Sequence, residues 1–439
     1  MFLRRLEIEN VRGFRRASLN FVDSDVVRPW TLLLGVNGVG KSTLLRAIAL
    51  ATTGSDALTD LIGLPHEWVR NGAKRAVIRA ELQNTAPDAT PFVVELEIHR
   101  DDTIRRVLDR NEESLAYLDG IIADQGWLPT VGYGVSRRAS AEALRARSRT
   151  GIVQPRASAV ATLFSPFEEL VSIESWAMDL DYRRGAQALS LIRHALESIL
   201  MPGVGFVDID KDQRELIFRT EDGDLPFSQL SDGFQSVVAW VGDLLFRLTD
   251  TFEIAKRPLE APGLLLLDEI ELHLHPQWQR RLIEYLRQLL PNFQFVATTH
   301  SPLTAQQVDE GELYAIERSS DDGPQIVPFA GEPRKLFIHQ LLADPIFGIP
   351  MSSQYVENAR ARLHELRKKR RLAASERDEL ARLEAELDSM PEWTRDEAPE
   401  RRTQLLARIE ARLAELSEVN EVTKKKKKKA TKKSTRSRR

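Results

Sequence analysis

The hydrophobic pattern changes period along the chain, and each change marks an element. Alternating apolar and polar positions over residues 2–9 (FLRRLEIE) and 17–22 (ASLNFV) predict two short strands around the turn Asn10-Val11-Arg12-Gly13-Phe14. The apolar run Thr31–Leu34 predicts a strand buried on both faces, and Ser42–Ala51 has helical spacing. Residues 75–82 and 92–99 predict a hairpin, and another strand within Trp127–Arg138 ends at Tyr133-Gly134. Residues 139–201 read as mostly helical, and 204–210 with 215–221 as a second hairpin. A helix over 232–249, a strand over 263–267, a helix over 276–290, a strand over 293–298 and a last pair over 312–317 and 324–328 follow. Strands alternating with helices predict an α/β layer fold.

After about residue 333 the pattern becomes helical only. Leu380, Leu383 and Leu387 share one stripe, and Leu406, Ile409, Leu413 and Leu416 another. They predict amphipathic helices over 354–371, 376–389 and 400–418, with Ser375 and Asp378 as a capping-box-like start and Pro391 and Pro399 bracketing a break. This region reads as a bundle packed on the rest, as a module that docks a partner, or as disordered chain.

Composition changes the picture at three points. At about 100–200 residues per domain, 439 residues make roughly two to four domains. The absence of cysteine excludes a disulfide framework, a cysteine-ligated metal centre and a cysteine nucleophile. The N-terminus has no signal-peptide core, and apolar runs such as Leu264–Leu267 fall far short of the ~20 residues that cross a bilayer, so a soluble cytoplasmic protein is expected. Charge is unevenly placed: Lys424 to Arg439 holds eleven basic residues and no acidic one, and removing those eleven charges from the net −3 leaves −14 on the rest. Such a tail cannot build a core. It is either a solvated end or a binder of nucleic acid through counterion release.

Four motifs carry chemistry. Gly35-Val36-Asn37-Gly38-Val39-Gly40-Lys41-Ser42, followed by Thr43, fits G-x-x-x-x-G-K-[ST] between an apolar strand and a helix. In that pattern backbone N–H groups curl around phosphate, the lysine reaches the β- and γ-phosphates, and the serine hydroxyl binds Mg²⁺. Leu264–Leu267 runs into Asp268-Glu269, where Asp268 is expected to hold Mg²⁺ and Glu269 to polarise the attacking water. Leu230-Ser231-Asp232-Gly233-Phe234-Gln235-Ser236 opens a helix about thirty residues earlier, and Thr298-Thr299-His300-Ser301-Pro302 follows a strand. His273, His275 and His300 also permit a metal reading, but each has a better role among these motifs.

In order and content the motifs resemble ABC-type ATPases. The opening IENVRGF is similar to RecF- and SMC-type ATPases, and LSDGFQS with LLLLDEIELHLHPQWQRRL resembles the prokaryotic RecF/OLD-like group, which includes the Septu-type PtuA ATPases of phage-defence and retron systems. The resemblance covers about residues 1–330. It implies an ABC-type α/β head that binds ATP with Mg²⁺ at composite sites of a dimer or higher homo-oligomer. Ser231, Gly233 and Gln235 become signature residues facing a nucleotide held by the other subunit, although Asp232 replaces the commoner Gly or Ser. His300 becomes the γ-phosphate sensor, His275 the last residue of the D-loop Glu271–His275, and Arg12 the basic residue of the opening loop. Residues 132–137 fall in the Q-loop slot but contain no Gln.

The expected divisions are an ATPase lobe over 1–138, a helical lobe over 139–201, the rest of the head over 202–333, a docking module over 334–418 and a basic tail over 419–439. From Ser42 to Ser231 is too short for SMC arms, and the region after 330 has neither a Toprim carboxylate set nor an HNH site. The expectation is a DNA-linked ATP switch for phage defence whose nuclease is a separate subunit encoded nearby. The alternatives are a RecF-like repair or maintenance ATPase and a low-turnover ATP-binding scaffold.

Overall fold

A computed structural model describes residues 1–389 apart from 85–88, 126–129, 141–154, 201–202, 253–256, 320–322, 345, 348–352 and 370. The described residues up to 347 form one compact unit, and those from 353 to 389 belong to a second.

The apolar runs build the central sheet of the first unit. Its order is Gly323–Pro328, Leu313–Ser319, Trp30–Leu34, Phe293–Thr299, Gly263–Leu267, Thr130–Tyr133, and every pairing is parallel except that of the first two strands. A parallel strand covered on both faces needs apolar side chains at odd and even positions alike. Accordingly Leu264 and Leu266 join Leu33, Val296 and Ile316 on one face, while Leu265 and Leu267 join Leu32, Leu34, Phe295 and Ala297 on the other. Each leucine removed from water contributes roughly 1.5–3 kcal/mol, which makes these strands the most firmly specified part of the chain.

The helix Lys41–Thr52 lies on the first face, where Leu44, Leu45 and Ile48 are fully buried. Across it lies an antiparallel sheet ordered Arg16–Asn20, Phe2–Glu9, Arg75–Gln83, Phe92–His99, which contributes Leu3, Leu6, Ile8, Ile78 and Leu82 to the same core. The second face carries the helices Asp232–Thr251 and Leu282–Leu289. This is the expected α/β layer head.

Most predicted elements form within a residue or two of their expected ends. The hairpin at 205–220 gains a third strand, Gly223–Pro226. Residues 139–201 contain the helices Pro155–Phe164, Ile173–Arg184 and Ala186–Ile199, and also a two-residue parallel pairing of Ala139–Ser140 with Leu170–Val171. The helix expected over 276–290 divides into Pro276–Gln279 and Leu282–Leu289, because Gln307 accepts from Ile283 N (3.2 Å) and restarts the helix there. The helices Gly54–Leu61, Ile104–Arg110 and Glu112–Gln125 have no counterpart in the predicted pattern.

In the second unit the helices Gln354–Lys368 and Ala374–Asp388 pair antiparallel through Tyr355–Glu386, Arg362–Glu379, Arg367–Glu384 and Lys369–Glu376. The later helix starts before Ser375: Glu376 reaches back to accept from Ala373 N (3.0 Å), so Ser375 is not its cap. Leu380, Leu383 and Leu387 are half-buried. The helix expected over 400–418, with Leu406, Ile409, Leu413 and Leu416, and the basic tail lie outside the described residues. Among the described residues no helix is long and apolar enough to cross a membrane.

Candidate nucleotide site

Parallel strands deliver the residues that follow them to one edge. Leu34 pairs with Thr299, and Leu267 pairs with Ala297 and Tyr133. Gly35, His300, Asp268 and Gly134, the next residues along, therefore gather at the carboxyl edge, where ligands of open α/β sheets bind.

The loop Gly35–Gly40 leads into the helix that begins at Lys41. Gly40 caps it at φ 116°, and a Cβ there would lie 2.5 Å from the Phe14 ring, so both conformation and space demand glycine. Asn37 and Gly38 are exposed and Thr43 is buried. Lys41 Nζ donates to Gly35 O (2.8 Å) and Val36 O (3.3 Å) and lies 2.8 Å from His300 Nε2. Burial pulls the Lys41 amine below its ordinary pKa, against the attraction of Asp268, Glu269 and Glu271.

Ser42 Oγ donates to Asp268 Oδ2 at 2.5 Å, and Thr298 Oγ1 donates to Asp268 Oδ1 at 2.6 Å. Ser42 and Asp268 converge two hard oxygen donors beside the start of a helix, which fits a Mg²⁺ that takes its remaining ligands from phosphates and water. Among the described residues there is no cluster of three or more His, Asp or Glu suited to a metal.

Glu269 adopts the left-handed conformation, φ 48°, at a cost of roughly 1–2 kcal/mol for a residue with a Cβ. Bonds on both sides hold it. Asp268 N donates to Tyr133 O (2.8 Å), Glu269 N to Thr298 Oγ1 (2.7 Å) and Ile270 N to Thr298 O (3.0 Å). On the other side Arg137 Nη2 donates to Asp268 O (2.8 Å) and Glu269 O (3.0 Å). The turn leaves Glu269 Oε1 3.9 Å from His300 Nε2. Glu271 fixes the opposing strand end by accepting from His300 N (2.6 Å) and Thr299 Oγ1 (2.7 Å).

Lys41, Ser42, Asp268, Glu269 and His300 thus come together. Ser231, Gly233 and Gln235 make other contacts. Gln235 Nε2 donates to Ser228 O and Leu230 O, and Gly233 packs so closely on the 273 carbonyl that a Cβ would lie 2.5 Å from His273 O. His275 caps the helix Pro276–Gln279, its Nδ1 accepting from Gln277 N. Arg12, also left-handed at φ 48°, stacks its guanidinium 4.7 Å from the Trp68 ring. Burial and then the charge of Arg46 lower its pKa. Sequence reasoning missed Arg137, Glu271 and Thr298 as parts of the site. Thr298 carried a signal as the first polar residue at the end of an apolar strand; Arg137 fell in the Q-loop slot, but with no Gln there no residue of that slot was singled out.

A family model described as "AAA domain, putative AbiEii toxin, Type IV TA system" matches residues 136–305, and one described as "AAA domain" matches residues 5–125. The chain is 25% identical over 350 residues to a Septu protein PtuA of Bacillus mycoides (strain KBAB4), covering 79% of this chain and 45% of that one. It is 32% identical over 136 residues to the retron Ec83 probable ATPase of Escherichia coli, covering 31% and 25%. To an OLD nuclease of Thermus scotoductus (strain ATCC 700910 / SA-01) it is 23% identical over 377 residues, covering 76% and 65%. The matched stretches span less than half the length of the PtuA and retron proteins.

Proposed function

We propose, from the premise that this chain is an ABC-type ATPase of the RecF/SMC/OLD group, that it hydrolyses ATP with Mg²⁺ at sites shared between two copies, and that it serves as the ATPase subunit of an anti-phage defence system. One observation carries the catalytic reading: Lys41, Ser42, Asp268, Glu269 and His300, spread over 260 positions of sequence, converge at one sheet edge.

Lys41 meets β- and γ-phosphate oxygens, and the backbone N–H groups of Gly38 to Ser42 surround them. Ser42 and Asp268 hold Mg²⁺, which when bound neutralises phosphate charge. Glu269 takes the proton of the attacking water, and His300 donates to the γ-phosphate. Ser231 is exposed and makes no side-chain cap bond to its own helix, which supports its facing, with Gly233 and Gln235, a nucleotide on a second copy. Arg12 and His275 border that interface. The PtuA and retron relatives support the defence role; a nuclease subunit docked by the region 334–418, and coupling to DNA through the basic tail, belong to the same proposal.

Glu269→Gln tests the reading. The variant keeps its shape but cannot take a proton, so phosphate release should fall by about 10²–10⁴-fold while ATP still binds and the ATP-bound dimer accumulates on size exclusion. Hydrolysis at the parental rate would remove Glu269 from the chemistry.

A further inference from the structure

We propose that Arg137 is a positioning residue that acts through Glu269, holding the strained peptide after the Asp268 strand so that the carboxylate faces the reacting water. This rests on the reading of Glu269 as the base.

Four observations support it. Arg137 is buried. Its donors go to main-chain oxygens, Gly134 O (3.3 Å), Asp268 O (2.8 Å) and Glu269 O (3.0 Å). Those last two carbonyls flank the side chain of Glu269, which is held left-handed at φ 48°. Thr298 holds the same turn from the opposite strand, and on the Arg137 side the bond from Asp268 N to Tyr133 O stops short of Glu269, so without Arg137 the Glu269 peptide is held from the Thr298 strand alone.

The choice of arginine follows from the geometry. A planar guanidinium has five N–H donors in a fixed fork, enough to bridge three carbonyls belonging to two strand ends. A glutamine amide offers two donors, and a lysine is a point donor without the fork. Holding a buried cation here has a cost: burial pulls the Arg137 pKa down to about 10, against the favourable charges of Glu271, Asp268 and Glu269. A cation retained under that pressure, with carbonyls as its partners, has the character of a brace. It occupies the segment where the family resemblance places a Q-loop but where this chain has no Gln.

The test is a cycle of Arg137→Met and Glu269→Gln in the full chain, read by single-turnover ATP hydrolysis and by nucleotide affinity. In the parental background Arg137→Met should lower kcat by about 10- to 100-fold with nucleotide Kd nearly unchanged, because a small misplacement of a reacting group has that effect on rate. In the Glu269→Gln background it should lower the residual rate no further. Equal losses in both backgrounds, or a parental kcat in Arg137→Met, overturn the proposal. If Arg137→Met does not fold, Arg137→Lys takes its place in the cycle; a parental kcat or equal losses there also overturn it. Glu269→Gln at the parental rate overturns the base reading and this proposal with it. An inactive Glu269→Gln beside a fully active Arg137→Met overturns this proposal alone.

Discussion

Asp243 is an acid with no exposed surface in the middle of the helix Asp232–Thr251. It accepts from Tyr133 Oη (2.9 Å), from Val171 N (2.9 Å) and from two nitrogens of Arg247, which is itself only 5% exposed. Arg247 also donates to Ser158 Oγ (3.3 Å), so the network joins the signature helix, the strand Thr130–Tyr133 and the helix Pro155–Phe164. Burial opposes the Arg247 charge, and Asp243 outweighs it, holding the guanidinium above its ordinary pKa. Asp243→Ala leaves that cation buried without its carboxylate, which costs about 3–5 kcal/mol. At about 2–4 °C per kcal/mol the melting midpoint should fall by about 6–20 °C. Scanning calorimetry of the full chain, with circular dichroism as a second probe, measures it. Asp243→Leu combined with Arg247→Met removes both charges and should recover most of the loss, since an apolar replacement of a buried pair is often near neutral. An Asp243→Ala midpoint within about 2 °C of the parent, or a double variant no more stable than the single one, refutes the reasoning.

Two further outcomes are expected. Lys41 has a pKa below the ordinary lysine value of 10.5, so rising pH removes its charge early: the association constant for an ATP analogue should start to fall below pH 10.5, and a flat profile up to that pH contradicts the assignment. Truncation before Lys424 should leave ATP hydrolysis intact and reduce the log–log salt slope of duplex-DNA binding by ~0.9 for each phosphate no longer neutralised; an unchanged slope leaves the tail a solvated end.

The sheet and the reacting groups were legible because each is written in adjacent residues. Leu264–Leu267 is apolar at odd and even positions alike, as a strand covered on both faces requires, and Asp268-Glu269 follows at once. The glycines before Lys41 and the His after Thr299 stand in the same relation to their strands. What was not legible is written across the sequence. Arg137 falls in the Q-loop slot without a Gln to mark it, and only the fold brings it to carbonyls about 130 positions away. Glu271 reads as part of the D-loop, yet it secures Thr299 and His300. Asp243 and Arg247, one helical turn apart, carry no sequence signal of their burial, because their partners Tyr133, Val171 and Ser158 lie on distant segments. The helix Gly54–Leu61 escaped because it is short and follows directly on the helix Lys41–Thr52.

The strand order of the central sheet has a consequence for biosynthesis. Trp30–Leu34 leaves the ribosome first among the site's strands, yet its neighbours in the sheet are Phe293–Thr299 and Leu313–Ser319, among the last of the head to emerge. A nascent chain with its glycine loop already formed has no flanking strand, no Asp268 and no His300. A premature stop before about residue 300 should therefore give a product that cannot respond to nucleotide at all, rather than a weakened one. Translation must pass the histidine before any copy holds the whole set of groups at the sheet edge.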